Sequence, residues 1–461
     1  MTRGISSEYV LTAEALYATK KAARNATPAV SPSAKMKKII YVVLDGLGDL
    51  PIKDLGDKTP LEAAVTPNMD RLAQKGITGL VYPVARGIAP ESDIAVISLL
   101  GYDAHKFYTG RGPLESFAEG LKVNDGDVAF RVNFATVAED GVTIKDRRVG
   151  RNLTTEEATA LAKEINSKVT LSAGTFEFKN TIGHRGILVI RGIRSKLSGW
   201  ITNTDPAYDR EGVFGVAKEK FENFVATSVP MPGYENSTEA RAAAELLNEF
   251  TKKSNKVLNE AAVNKKRVAE NKMPGNVILS RDAGDHLPKF PPMQSLFNLK
   301  FGSFVQMPVE KGIALLTGID VIDIPESSGH LDVDYPVWAK VALESIKKFD
   351  AIYVHIKGPD EPAHDGDYKL KKSIIEAIDK YFFANLIPAL DIQNTIVAVT
   401  ADHSTVCAIK AHSADPVPIL VSGGNIKPDG SMSFSERAAK LGSIGEILGR
   451  EIMPLLVKLA Q

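Results

Sequence analysis

The sequence predicts an α/β fold, a mostly parallel sheet sandwiched by helices, with an α+β unit inserted into it. Three observations predict this. Short apolar, β-branched runs end abruptly in acidic turns near both ends of the chain, and helical patterns lie between them, the alternation that builds a parallel sheet. The middle of the chain has another texture, with strand-like runs mixed among long helical patterns. At 461 residues the chain exceeds one ordinary compact core, so two units of unequal size are expected.

The first 35 residues carry Ser, Ala, Lys and Arg but no apolar block of secretory type, and Glu8 and Glu14 argue against a transit peptide. A loosely ordered extension over residues 1–36 is expected, with Met36 placed to serve as an alternative translation start. The run Ile39-Ile40-Tyr41-Val42-Val43-Leu44 then stops at Asp45-Gly46, as a buried parallel strand would. Residues 67–75 read as a helix capped by Thr66, and Ala89-Pro90-Glu91-Ser92-Asp93-Ile94-Ala95 sets a serine in a turn that opens an apolar helical segment.

In the middle region, Val142-Thr143-Ile144, Phe176-Glu177-Phe178 and the run from Ile187 to Ile190 read as strands, and residues 155–167 and 238–254 as helices. The stretch 252–271 is rich in Lys and Asn but interspersed with Glu260 and Glu270, so it reads as a solvated helix face followed by a linker. Beyond it, Ala351-Ile352-Tyr353-Val354-His355-Ile356 leads into Gly358-Pro359-Asp360, and Thr395-Ile396-Val397-Ala398-Val399-Thr400 leads into Asp402-His403. Residues 370–386 place Ile374, Ile375, Ile378, Phe382 and Leu386 at helical spacing. Ligands bind beyond the carboxyl ends of strands in such sheets, where all three acidic turns fall.

Composition narrows the function classes. Lys plus Arg and Asp plus Glu balance at 56 each, so no overall field draws the chain to nucleic acid or an anionic membrane, and any anion site must be built locally. No stretch approaches the roughly 18 apolar residues needed to span a bilayer. The single cysteine, Cys407, excludes an internal disulfide framework and fits a reducing compartment, or one where disulfides are unnecessary, with the cytoplasm as the default expectation. It reads as a small residue packed beneath a turn, and His355 as a satisfied core imidazole without a role.

The chemistry gathers at the acidic turns. Asp360 and His364 stand one helical turn apart, Asp402 and His403 are adjacent, His412 comes nine residues later, and Asp45 supplies a further strand-end acid. Singly, each is as readily a cap or a surface pair; together they favour a metal site. Oxygen and nitrogen donors without thiolate suit manganese, magnesium, zinc or cobalt, and three acids with three imidazoles exceed the needs of one tetrahedral ion, which implies two divalent ions. Paired ions are a recurring device for phosphoryl transfer, and Ser92 offers the nucleophile.

The Asp45-Gly46 turn, Pro90-Glu91-Ser92-Asp93, Asp360 with His364, Thr400-Ala401-Asp402-His403-Ser404-Thr405 and His412-Ser413 with Asp415-Pro416-Val417-Pro418 together resemble the archaeal branch of cofactor-independent phosphoglycerate mutases, in the alkaline phosphatase superfamily. The resemblance extends over nearly all of residues 36–461, including Tyr108-Thr109-Gly110-Arg111-Gly112-Pro113-Leu114-Glu115, Asp146-Arg147-Arg148-Val149-Gly150-Arg151 and Thr202-Asn203-Thr204-Asp205-Pro206.

It implies an alkaline-phosphatase-like sheet over residues 37–116 and 292–461, with a substrate-handling domain inserted over 117–291. It also implies one ion on Asp45, Ser92, Asp402 and His403, and a second on Asp360, His364 and His412. The implied reaction moves phosphate between the 3- and 2-positions of glycerate through a phosphoserine at Ser92, without bisphosphoglycerate as cofactor. Asp146 is the candidate acid or base, and Arg147, Arg151, Arg185 and Arg281 are the candidates for holding substrate phosphate and carboxylate. The metal core alone is equally compatible with a phosphomonoesterase or another phosphotransferase of the superfamily, whereas the intact ligand set argues against a binding protein that has lost catalysis.

Overall fold

The computed structural model describes residues 36–461 apart from Val213 and Glu219. The extension expected over the first 35 residues lies outside the described residues. In chain order, β1 (Lys38–Leu44) and β2 (Gly76–Tyr82) precede β3 (Val128–Val137), β4 (Ile144–Asp146), β5 (Gly174–Asn180), β6 (Arg185–Gly192), β7 (Tyr208–Glu211), β8 (Phe214–Ala217) and β9 (Val277–Gly284). The remaining strands are β10 (Phe301–Phe304), β11 (Asp320–Val321), β12 (Ala351–Ile356), β13 (Thr395–Thr400), β14 (Ser404–Val406), β15 (Ala411–Ser413), β16 (Val417–Gly423) and β17 (Gly445–Leu448).

Eight of these form one sheet in the order β11-β10-β12-β1-β13-β16-β2-β17. All its pairings are parallel except those of β16, which runs against both β13 and β2. The three central strands β12, β1 and β13 are the apolar runs of the sequence, buried along almost their whole length, as strands covered on both faces must be. Register fixes where their ends fall. Leu44 pairs with Ile356 and Val43 with Thr400, so the three strands end level, and the acidic turns leave the sheet along one edge.

A second, antiparallel sheet has the order β4-β3-β6-β5, with β9 pairing the free side of β3. Its strands alternate. Phe130, Val132 and Phe134 of β3 face a helical layer supplied by Leu161, Ile165, Leu247 and Phe250, while Ala129 and Arg131 take the opposite face. The helix Arg111–Ala118 lies across that opposite face, so closely that a Cβ on Gly112 would stand 2.3 Å from the Ala129 carbonyl oxygen.

Three local expectations are corrected. Thr66 makes no side-chain capping bond to the helix Pro67–Gln74; the backbone N–H groups of Asn68 and Met69 donate to Asp379 instead. Asp379 sits where the helix expected over 370–386 changes character: Tyr368–Ala377 is α-helical, and Ile378–Phe383 is a π turn. The stretch 252–271 keeps its solvated lysines but holds no linker. After the helix Thr238–Glu260, a second helix, Ala262–Ala269, is pinned by buried Arg267, which donates to Met273 O at 2.8 Å and Glu157 Oε2 at 2.6 Å. Among the described residues, no helix is long and apolar enough to cross a membrane.

The turn after β1 is held by a buried ion pair. Lys371, fully inaccessible, donates its three N–H bonds to Gly48 O at 2.9 Å, Asp49 Oδ2 at 2.9 Å and Thr405 O at 2.7 Å, tying this turn to β14. The same Asp49 carboxylate accepts from the N–H of Cys407, whose thiol is pushed up to about 12 by burial and by Asp49. Glu436 accepts from Asp49 N at 3.3 Å and Thr59 Oγ1 at 2.8 Å, and burial pushes its carboxyl up to about 7.

Lys371→Met should lower unfolding free energy by about 3–5 kcal/mol in urea titrations, because Asp49 is left buried and unpaired; a change within about 0.5 kcal/mol would contradict the pairing. A carboxyl raised in the folded state stabilises the fold fully below its unfolded value and loses that contribution as pH rises through the folded one. Wild type should therefore lose stability between about pH 4.5 and 7 more steeply than Glu436→Gln; equal slopes in urea unfolding across this window would refute the assignment.

Candidate active site

Asp45 follows β1 directly, Asp360 opens the helix Asp360–Asp365 after β12, and Asp402-His403 follow β13, so level strand ends bring all four together. His412 joins them through β15, where it pairs with Thr405 of β14. Ser92 is the first residue of the helix Ser92–Leu99. Gly46 has φ +62°, and a Cβ there would stand 2.7 Å from both the Asp360 carboxylate and Thr405 Oγ1, so this turn closes only with glycine.

Two clusters result. Donor atoms of Asp45, Asp402 and His403 all lie within 4.8 Å of one another, and so do those of Asp360, His403 and His412. His403 belongs to both. Its Nε2 lies 3.4 Å from Asp45 Oδ1, 3.2 Å from Asp402 Oδ2 and 3.2 Å from Ser92 Oγ. Its ring stacks on that of His412 at 3.7 Å between centroids. His364 Nε2 stands 3.4 Å from Asp360 Oδ1 and 3.1 Å from His412 Nε2.

These residues fit a pair of cations on their own chemistry. Asp402 Oδ1 accepts from the N–H groups of Gly46 and His403, and Asp45 Oδ2 pairs with Lys357; Asp45 Oδ1 and Asp402 Oδ2 are buried without a hydrogen-bond partner. Unpartnered buried carboxylate oxygens are costly, and a shared cation relieves them. In the other cluster, Nδ1 of His364 faces Lys410 O at 3.1 Å and Nδ1 of His412 faces Pro90 O at 2.8 Å. A carbonyl only accepts, so each ring carries its proton on Nδ1. The two Nε2 atoms are left 3.1 Å apart, each within 3.5 Å of Asp360 Oδ1, a nitrogen and oxygen donor set of the kind that holds a cation.

The electrostatics agree. Burial pushes the Asp45 carboxyl up, as do the charges of Asp402 and Asp360, against the pull of Lys357. Burial opposes ionisation of Asp402 too, yet His403 and His355 hold it well below the usual carboxylate range, and His412 and His403 do the same for Asp360. Burial would lower Lys357; Asp45 and Glu310 instead raise it far above an ordinary lysine. Sequence reasoning missed Lys357 and Glu310, and it took His355 as satisfied. His355 is fully buried with Nε2 unpartnered, 3.5 Å from Asp402 Oδ2.

A cationic region adjoins the acids. Glu91 links them, with Oε1 3.9 Å from His412 Nδ1 and Oε2 4.0 Å from Arg111 Nη1. Arg111 and Arg131 share Glu115, at 2.6 and 3.6 Å, and Arg131 pairs across the ladder with Arg281. Burial pushes Arg131 down to about 10, helped by Arg111 and Arg281; burial likewise pushes His184 down to about 4, helped by Arg185, Arg148, Arg281 and Arg151. The charges of Arg151, Arg185 and Arg281 of the expected set thus all act on His184, as does that of Arg148, and Arg281 lies across the ladder from Arg131.

Arg147 is differently placed. It forms a two-pronged pair with the fully buried Asp205, at 2.9 and 2.7 Å, which also takes Arg281 at 3.2 Å. Asp146 Oδ1 accepts from the N–H groups of Arg148 and Gly150, closing a turn in which Val149, Gly150 and Arg151 all have positive φ. Such left-handed runs are strained for Val149 and are found where a turn must aim side chains. The missed Arg131 had a signal: a lone charge within an apolar strand pattern.

The 2,3-bisphosphoglycerate-independent phosphoglycerate mutase family model matches residues 73–264. The chain is 44% identical over 417 residues to the 2,3-bisphosphoglycerate-independent phosphoglycerate mutase of Aeropyrum pernix, across 89% of this chain and 96% of that protein. It is 39% identical over 426 residues to the one of the same name from Thermococcus kodakarensis, across 92% and 98%. Among solved structures it is similar to a protein from Pyrococcus horikoshii, with TM-score 0.75, 31% identity, and coverage of 93% of this chain and 98% of that one. It is also similar to the cofactor-independent phosphoglycerate mutase from Thermoplasma acidophilum, with TM-score 0.61, 31% identity, and coverage of 92% and 100%. Near-complete coverage at these identities, on a fold that gathers the acids, imidazoles and arginines described above, places the chain in the 2,3-bisphosphoglycerate-independent phosphoglycerate mutase family.

Proposed function

We propose that this chain interconverts 3-phosphoglycerate and 2-phosphoglycerate by passing the phosphoryl group through Ser92, at a site that holds two divalent cations. The observation that carries this is the position of Ser92 Oγ, 3.2 Å from the one imidazole that both ligand clusters share. Asp45, Asp402 and His403, with Ser92, hold one cation; Asp360, His364 and His412 hold the other, drawn from manganese, magnesium, zinc or cobalt. When bound, the cations withdraw charge from the serine hydroxyl and the phosphate oxygens.

Ser92 Oγ gives up its proton and attacks phosphorus in line, the bond from phosphorus to the glycerate oxygen breaks, and that oxygen takes a proton. Glycerate then turns without leaving, its other hydroxyl gives up a proton and attacks the phosphoserine phosphorus, the bond from phosphorus to Ser92 Oγ breaks, and Ser92 Oγ takes a proton back. The region 117–291, with Arg111 from the helix that leads into it, handles the substrate: Arg111, Arg131, Arg185 and Arg281 meet its phosphate and carboxylate, and Arg148 and Arg151 border them. Arg147 acts indirectly, holding Asp205 against Arg281. Asp146, fixed by its own turn, serves the proton transfers. Closure of this region over the acids keeps water from the phosphoserine.

The test is phosphorus NMR of manganese-reconstituted wild type and Ser92→Ala, each given 3-phosphoglycerate. Wild type should yield 2-phosphoglycerate, and Ser92→Ala should lose on the order of 10^6 in kcat, the scale for removing a nucleophile that acts as one unit with its neighbours. Free phosphate without isomer would make the chain a phosphatase, and isomerisation by Ser92→Ala would remove the phosphoserine route.

A further inference from the structure

Behind the cluster of Asp45, Asp402 and His403 lies a second set of charged groups that neither bind the substrate nor complete the ligand set. Glu310, on the helix Pro308–Leu316, is 1% exposed. A buried glutamate beside buried aspartates adds repulsion unless it organises something. Its Oε1 lies 2.6 Å from Lys357 Nζ and 3.2 Å from His355 Nδ1. Each of these reaches a different ligand of the cluster: Lys357 Nζ is 3.0 Å from Asp45 Oδ2, and His355 Nε2 is 3.5 Å from Asp402 Oδ2.

The atoms left over are informative. Lys357 takes the oxygen of Asp45 that does not face the cluster, and the oxygen that does, Oδ1, is the unpartnered one. Asp402 Oδ1 is fixed by two backbone N–H groups, so only Oδ2 is free, and the unpartnered Nε2 of His355 lies 3.5 Å from it. One glutamate oxygen, itself buried without a hydrogen-bond partner, thus lies against two nitrogen-bearing side chains, and each of these lies against one carboxylate of the cluster.

We propose that Glu310, Lys357 and His355 are positioning residues for the cation held by Asp45, Asp402 and His403. Glu310 fixes Lys357 and His355, and these hold the two carboxylates so that each turns one oxygen to the same ion. The inference rests on the reading that this cluster holds a cation. It concerns one of the two sites only, since His364 and His412 are oriented by the carbonyls of Lys410 and Pro90. Partners of this kind are worth about 10–100-fold in metal affinity.

The experiment is a manganese titration of the full chain, read by the EPR signal of free Mn2+, on wild type, Glu310→Gln and Lys357→Met, with thermal midpoints recorded without metal. Wild type should bind two equivalents. Each variant should hold one equivalent about 10–100-fold more weakly and the other as wild type does, with isomerase activity recovering at high manganese. Glu310→Gln, which keeps the side-chain shape, carries the test if Lys357→Met does not fold. Unchanged affinities would overturn the proposal, as would equal weakening of both sites, which marks a general structural role. Tighter binding by Lys357→Met would overturn it as well, making Lys357 a competitor for the cation. No manganese bound by wild type would instead overturn the cation reading itself.

Discussion

Asp45 and Asp402 are each nearly inaccessible to water and lie within ligand distance of the same imidazole, so the carboxyl edge of the sheet concentrates negative charge where hydration cannot relieve it. The surrounding structure answers that constraint. The level endings of β12, β1 and β13 create it by delivering three acidic turns to one place. The backbone N–H groups of Gly46 and His403, the ammonium of Lys357 and the imidazoles of His403 and His412 each take part of the charge. Asp45 Oδ1 and Asp402 Oδ2 remain without hydrogen-bond partners, and they face the imidazole of His403 where a cation is expected.

The second sheet supplies the opposite sign. Arg131 and Arg281 occupy the face of β3 and β9 that the helical layer does not cover, and the helix Arg111–Ala118 brings Arg111 to the same face. Glu91 stands between the two fields, within 4.0 Å of both His412 and Arg111, one residue before Ser92. Ser92 therefore sits at the boundary between a cluster of acids and a cluster of arginines. A phosphorylated carboxylic acid, with two anionic ends and hydroxyls between them, is suited to such a boundary.

The acidic turns were legible in the sequence because a parallel strand buried on both faces is a continuous apolar run, and the polar residues that end it stand out. Helix termini were less legible where their partners are remote. Thr66 looks like a cap, but the free N–H groups of its helix are taken by Asp379, more than 300 residues away. Arg267 looks solvated among lysines, yet Glu157 and Asn152 bury it. The arginines show the same limit: Arg147 and Arg148 are neighbours in sequence, and only the position of Asp205 pairs Arg147 off beside Arg281. Lys357 and Glu310 carried no signal, since their meaning depends on a helix and a strand end meeting beneath Asp45.

The most direct test of this account is a rapid-quench experiment with 3-phosphoglycerate labelled at phosphorus, with peptide mapping of the trapped protein. The account predicts that label appears on the peptide containing Ser92 and on no other, at a rate that keeps pace with isomerisation. Isomerisation at full rate with no label on the protein, or with label on another residue, would contradict it.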